Sequence, residues 1–144
     1  MEIMVRFIPL LILPVAIYNL FALGGSAAGN HDIQGMLASS FALKMFSGDT
    51  WNIDFGDFLL LFGIAMLFIE VVKATRTTRG VIINHGLSMM LFVVALVEFI
   101  VLKGFATSTF FFLLVFTLFD VVAGYTISII AAEHDLGIGR AGTG

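Results

Sequence analysis

The chain has 144 residues, of which 60% are hydrophobic and only 12% charged. Soluble domains are about half apolar and about a quarter charged, so this composition excludes an ordinary soluble protein. The lack of cysteine excludes disulfides, thiolate metal sites and a cysteine nucleophile, and the net charge of −3 without a long basic run argues against nucleic acid as a partner.

Four apolar stretches are each long enough to cross a lipid bilayer. A transmembrane helix needs about 20 predominantly apolar residues. The predicted spans cover about 7–27, 58–72, 81–102 and 110–132. The remaining connections are short apart from the loop 28–57, so we predict a single domain, an all-α membrane protein built as a four-transmembrane-helix bundle.

The first span contains two prolines and one deep amide side chain. Pro9 and Pro14 are expected to kink the helix and to free backbone carbonyl groups. The run after Arg6 also has features of a secretory signal, but it is long for a signal core. We therefore expect it to remain as a membrane span, with Asn19 near its middle.

Alternating residues in the loop 28–57 predict an external β-hairpin. Apolar and polar side chains alternate around Phe41 and around Trp51, which is the period of a strand, and the segment 47–50 between them has the length and the glycine of a turn. We expect this hairpin to lie on the membrane surface, with Trp51 near the headgroups. The alternative is an interfacial amphipathic helix over residues 33–46.

Asp54 and Asp57 stand immediately before the second span. Carboxylates at this position accept free backbone N–H groups and face the positive end of the helix dipole, so we expect helix capping. An external cation site formed together with Asp49 is the alternative, but it requires more oxygen ligands than this spacing assures.

Lys73, Arg76 and Arg79 form the one strongly cationic connection, between the second and third spans. By the positive-inside rule this basic loop faces the cytoplasm. Because the number of spans is even, both termini are then predicted to be cytoplasmic. The chain is thus expected to be a multi-pass membrane protein.

Six polar residues fall within the spans. We call them the polar seam: Asn19, Glu70, Asn84, His85, Glu98 and Asp120. A charged side chain at mid-bilayer costs at least about 2.5 kcal/mol on insertion scales, so these residues are expected to face other helices or water.

Counting residues from the helix ends predicts partners for the seam at a rise of about 1.5 Å per residue. Glu70 is level with Asn84 and His85, with Lys73 one turn away. Glu98 is expected near the outer face, within reach of Lys103 or Thr107.

Asp120 is the deepest acid, about halfway along the fourth span. Asn19 is at nearly the same depth, so the two are predicted to bond if the first and fourth spans touch.

The seam has two interpretations. Each acid can bond to a neighbouring helix and fix the packing register, or Glu98, Asp120 and Glu70 with His85 can form successive steps for a proton or cation. Interhelical polar bonds are the more common use of such residues, so the structural interpretation is favoured.

Positive signs of catalysis are missing from the sequence. It contains no phosphate-binding glycine loop, metalloprotease helix pair or nucleophile elbow. His85 is the one histidine within a span, which does not support a bis-histidine haem in one chain. We expect no catalytic residues, no metal and no cofactor.

Three short segments, 70–77, 85–88 and 119–124, resemble a group of uncharacterised small four-span membrane proteins of alphaproteobacteria. The likeness covers about residues 40–135. It implies an inner-membrane location and a shared plan, and it brings no established activity.

The function expected from these observations is that of a non-catalytic accessory or scaffold protein, not an enzyme. Its partners would be the lipid bilayer and either other membrane-protein subunits of a larger complex or further copies of the chain. The alternative is a small oligomeric proton or cation transporter or channel that uses the intramembrane acids.

Overall fold

The computed structural model describes residues 8–27, 33–75 and 79–141. Within them the chain is mainly helical, with one two-stranded antiparallel sheet. The elements in order are α1 (Ile12–Ala27), α2 (Ile33–Leu37), β1 (Ser40–Lys44), β2 (Thr50–Asp54), α3 (Phe55–Ala74), α4 (Arg79–Val101) and α5 (Ser108–Ala141).

Three helices of the described residues are long and apolar enough to span a membrane. The qualifying segments are Phe55–Ala74, Ile83–Val101 and Ser108–Ile130. The apolar part of α1, Ile12–Gly24, is shorter. Since α1 has 16 residues, its length is about 24 Å, less than the roughly 30 Å hydrocarbon core.

The two prolines explain why α1 begins later than the predicted span. The carbonyl group of Pro9 accepts the N–H of Ile12 at 3.1 Å in a tight turn ahead of the helix. Pro14 falls in the first helical turn, where proline is tolerated because no intrahelical N–H donor is needed there. Both prolines therefore lie at the beginning of α1, where the described part of the chain is a turn followed by a continuous helix.

α5 is the central helix and packs most closely against α3 and α4, with smaller contacts to α1. Glycines on α3 allow the close approach. A Cβ atom at Gly56 would lie 2.7 Å from Thr109 Oγ1, and one at Gly63 would lie 3.0 Å from a methyl group of Leu113. Gly56 and Gly63 thus lie on the face of α3 that meets α5.

The beginning of α3 is fixed by a reciprocal capping box. The N–H of Asp57 donates to Asp54 Oδ1 at 2.8 Å, and the N–H of Asp54 donates to Asp57 Oδ2 at 3.1 Å. Both carboxylates therefore satisfy backbone donors at the positive end of the helix. This is the capping role that the sequence predicted.

The predicted β-hairpin is present. β1 and β2 pair antiparallel, with Phe41 opposite Ile53 and Leu43 opposite Trp51. Gly48 has a φ of +94° in the connecting turn, a conformation that glycine adopts at little cost. The alternative helix over 33–46 exists only as the short α2, since the backbone is already extended from Ser40.

The hairpin has two different faces. Because side chains alternate along a strand, the two apolar cross-strand pairs share one face, while Ala42 and Asn52 share the other. Phe41 and Trp51 are 65% and 53% exposed, and Phe46 at the turn is fully exposed. The described residues therefore leave this apolar face uncovered.

Candidate functional site

Glu70 lies near the end of α3 and is 1% exposed. Its Oε2 atom accepts a hydrogen bond from Asn84 Nδ2 on α4 at 2.9 Å, and its Oε1 atom accepts one from Lys73 Nζ at 2.9 Å. The backbone N–H of Leu10, just ahead of α1, also donates to Oε1. The bonds predicted from Asn84 and Lys73 are present, and the Leu10 contact adds a third segment of the chain.

Lys73 adds a further bond to this meeting point of three segments, which we call the Glu70 junction. Its ammonium group donates to the carbonyl oxygen of Ile8 at 3.2 Å as well as to Glu70. The pair is only partly exposed on the lysine side and buried on the glutamate side. A buried charge is tolerated when it is paired and fully hydrogen bonded, so this junction ties α3, α4 and the beginning of α1 together.

His85 joins α4 to α5 and does not bond to Glu70. Its Nε2 atom lies 2.9 Å from Ser128 Oγ, and its ring is 5.6 Å from that of Tyr125, centroid to centroid. The ring also lies against Gly124, which leaves no room there for a side chain. Of the two partners proposed for Glu70, Asn84 is therefore the one it uses.

Asp120 and Ser88 are buried at the same interface, 3% and 1% exposed. They are near enough to interact electrostatically, but no contact between them meets hydrogen-bond geometry. Four buried polar atoms on α4 and α5 have no hydrogen-bond partner among the described residues. These atoms are Asn84 Oδ1, His85 Nδ1, Ser88 Oγ and Asp120 Oδ2, and we call the four residues the α4–α5 cluster.

Unpartnered polar atoms in a protein interior are rare because each loses its hydration without replacement. A small polar molecule such as water can satisfy groups of this kind. Asn84 belongs to both groups, because its amide nitrogen donates to Glu70 while its amide oxygen is one of the four unpartnered atoms. The α4–α5 cluster thus adjoins the Glu70 junction.

Asn19 does not bond to Asp120, so that prediction is wrong. Its Nδ2 atom donates to Glu98 Oε2 at 3.0 Å and to the carbonyl oxygen of Val15 at 3.1 Å. Helical side chains lean toward the N-terminus of their own helix, which brings the Glu98 carboxylate inward from the end of α4. Asn19 meets it there.

The expected reach of Glu98 to Thr107 is not seen either, because Thr107 has other partners. Its hydroxyl group lies 2.7 Å from the hydroxyl of Tyr18 and 3.2 Å from the N–H of Phe110. Tyr18 also donates to the carbonyl oxygen of Gly104 at 2.7 Å. Tyr18 was not among the polar residues predicted to matter in the spans, although a phenol inside an apolar helix signals a buried hydroxyl that needs a partner.

Buried apolar side chains lie between the Asn19–Glu98 pair and the polar residues around Asp120. Antiparallel packing of α4 and α5 about their connecting turn places Leu91 and Ala95 of α4, with Leu113 of α5, between the level of Glu98 and that of Asp120, and all three are 9% exposed or less. Thr117 of α5 is also buried at this depth, and its hydroxyl group donates to the carbonyl oxygen of Leu114 at 2.7 Å. In this conformation the polar seam is therefore divided into two parts. Glu70, Asn84, His85 and Asp120 lie toward one end of the helices, and the Asn19–Glu98 pair lies toward the other.

The basic loop is described only in part. Lys73 is placed, Arg76 lies outside the described residues, and only the backbone of Arg79 is described. Among the described residues, no group of three or more histidine, aspartate or glutamate side chains is arranged to hold a metal ion.

Comparison with known proteins adds no assignment. No protein-family profile, curated protein or solved structure matches this chain. We therefore infer the function from the geometry of the polar seam itself.

Proposed function

We propose that this chain is a non-catalytic accessory or scaffold protein of a bacterial inner membrane that packs within or against a larger complex. In this proposal α1 is a fourth span and both termini lie in the cytoplasm with the basic loop. The 70–77 and 119–124 segments, which resemble small four-span proteins of alphaproteobacteria, are consistent with that location.

The observation that carries the proposal is the Glu70 junction. A carboxylate used in transport or catalysis has to exchange protons or ligands, whereas the carboxylate of Glu70 already accepts from Leu10, Lys73 and Asn84. Its bonds reach three segments of the chain. This supports a role in holding the helices in register.

The apolar layer between the two polar groups supports the same role. A proton or cation path needs polar side chains or water at each step, and Leu91, Ala95 and Leu113 offer no polar group. The hydroxyl group of Thr117 at the same depth is bonded to the backbone of its own helix. The fourth span has similar support, because α1 is apolar, packs against α3 and α5, and is bonded at Leu10 just ahead of its beginning and at Tyr18 near its middle.

The hairpin is the part of the chain best suited to contact a partner or the membrane surface outside the helices. An apolar patch rimmed by polar residues is typical of an interaction surface. Phe41, Leu43 and Trp51 form such a patch, and the opposite face of the hairpin carries Lys44 and Asn52.

Gentle extraction from native membranes followed by native mass spectrometry tests this function. We expect a larger membrane partner to remain bound at fixed stoichiometry. Asp120→Asn keeps a hydrogen-bonding side chain of the same size and should leave that association nearly intact, whereas Asp120→Leu should weaken it. A protein that emerges alone, or loses its partner in a well-folded Asp120→Asn variant, would contradict the proposal.

The α4–α5 cluster favours one second candidate, a small oligomeric proton or cation transporter. Its four unpartnered polar atoms include a carboxylate oxygen and a ring nitrogen, which are groups that exchange protons. Potential-driven proton flux into liposomes that disappears in Asp120→Asn would support this candidate. Liposomes that stay tight with the unchanged protein would exclude proton transport by the chain alone.

A further inference from the structure

An apolar groove of about 560 Å³ runs between α1 and α4. These two helices make few direct contacts with each other, since α4 packs mainly against α5 and α1 contacts α3 and α5. Side chains from both helices line the groove, with the Asn19–Glu98 pair at one end. Representative lining residues are Ile12, Ala16 and Asn19 on α1 and Leu87, Val94 and Glu98 on α4.

We propose that this groove binds one acyl chain of an amine-headed glycerophospholipid, with the ammonium group at Glu98. This site is separate from the proposed scaffold function. It assigns a ligand class to the one polar pair of the seam that faces the groove.

The dimensions of the groove suit an acyl chain. From Leu87 to Glu98 the lining follows α4 for 11 residues, which is about 16 Å. Half of the hydrocarbon core is about 15 Å thick, so the groove is as long as one leaflet is deep. A transmembrane helix is about 10–12 Å across and would occupy roughly 1,250 Å³ over that length, about twice the volume of the groove, which is better matched by a narrower occupant such as an acyl chain.

The polar end of the groove determines which lipid headgroup fits. Its lining is apolar except at the Asn19–Glu98 pair, so a bound molecule needs a long apolar part and one polar end. Glu98 uses Oε2 to accept from Asn19, and the described residues offer no hydrogen bond to Oε1. A carboxylate oxygen in this position complements an N–H donor that carries positive charge.

The position along α4 agrees with this orientation. Glu98 is three residues before the end of the candidate span Ile83–Val101, which is close to where lipid heads lie. Lys103 is exposed in the turn at the same end and carries the charge that a lipid phosphate prefers. Ammonium and phosphate would thus both meet an opposite charge at this end of the groove.

The test uses the purified full chain and native mass spectrometry with three added lipids that share the same acyl chains. Phosphatidylethanolamine offers N–H donors, phosphatidylcholine carries the same charges without them, and phosphatidylglycerol lacks the ammonium group. We expect phosphatidylethanolamine to be retained about tenfold over phosphatidylcholine, the ratio that one charge-assisted hydrogen bond supports. Equal retention of all three would overturn the proposal.

Two kinds of variant test the headgroup contact and the acyl-chain contact separately. Glu98→Gln removes the charge and should equalise phosphatidylethanolamine and phosphatidylcholine. Ala16→Phe and Val94→Phe fill the groove and should each lose the bound lipid, whereas Ala65→Phe, on an exposed part of α3, should bind as the unchanged protein does.

Two further outcomes would count against the site. Unchanged lipid retention in both filling variants would place the lipid elsewhere. A dimer that dissociates in both filling variants while lipid retention is unaffected would show that a second copy of the chain covers the groove.

Discussion

The imidazole ring of His85 lies against the backbone of Gly124. A Cβ atom at position 124 would stand 2.5 Å from two atoms of that ring, far inside van der Waals contact. From this position the ring reaches Ser128 Oγ at 2.9 Å, one turn further along α5. The close approach of α4 and α5 at the level of the α4–α5 cluster therefore depends on a residue without a side chain.

Gly124→Ala should destabilise the protein, because the added methyl group must displace the His85 ring from Ser128. Overpacking of this kind costs about 1–3 kcal/mol in the free energy of unfolding. Gly86→Ala is the matched control, since a Cβ atom there meets nothing within 4 Å and alanine favours helix by up to about 1 kcal/mol. Unfolding of the detergent-solubilised protein followed by circular dichroism gives both values. Equal stabilities of the two variants would show that the close contact does not constrain the helices.

Glu70→Gln should weaken the junction between α1, α3 and α4. The substitution replaces one acceptor oxygen by an NH2 group, so one of the three donors loses its partner and Lys73 loses its counter-charge. Loss of a hydrogen bond to a charged group costs about 1.5–3 kcal/mol, which is the expected decrease in unfolding free energy.

Glu133→Gln provides the control for that measurement, because Glu133 is exposed on α5. Its stability should stay within about 0.5 kcal/mol of the unchanged protein. Protease digestion offers a second readout, since loosening of α1 should expose the backbone around Ile8 in Glu70→Gln alone. If Glu70→Gln changed neither the cleavage pattern nor the stability, Glu70 would not have the structural role inferred for it.

The sequence predicted those features that depend on local pattern. Alternation around Phe41 and Trp51 predicted the hairpin, and the spacing of Asp54 and Asp57 predicted the cap of α3. Glu70 and Asn84 flank the same short connection, so counting residues from that connection was enough to pair them.

Partners between distant helices were harder to predict. Asn19 bonds to Glu98 and not to Asp120, because depth along a helix says nothing about the direction in which a side chain faces or leans. The helix α1 begins at Ile12, five residues after the start of the predicted first span. Hydropathy does not register that Pro14 is best placed in a first helical turn.

Tyr18→Phe should loosen the attachment of α1 to the turn between α4 and α5. The phenol is 1% exposed and donates to the carbonyl oxygen of Gly104, so its removal leaves that acceptor without this donor. We expect a loss of about 1–2 kcal/mol in unfolding free energy. Tyr125→Phe is the control, because Tyr125 is 43% exposed and its hydroxyl has no hydrogen bond in the described part of the chain. A larger loss of unfolding free energy in Tyr125→Phe than in Tyr18→Phe would show that the stabilising hydroxyl is on α5 and not on α1.

Trp51 is the single tryptophan of the chain, so its fluorescence reports the hairpin alone. If the apolar face of the hairpin rests on the membrane, indole at the headgroup level should be quenched more by lipids brominated near the head than by lipids brominated near the chain end. A protein carrying Trp51→Phe together with Phe119→Trp is the reference, since Phe119 is 55% exposed near the middle of the span Ser108–Ile130 and should show the opposite preference. Emission typical of indole in water, with no quenching by either lipid, would instead place the hairpin away from the bilayer and leave its apolar face for a partner subunit.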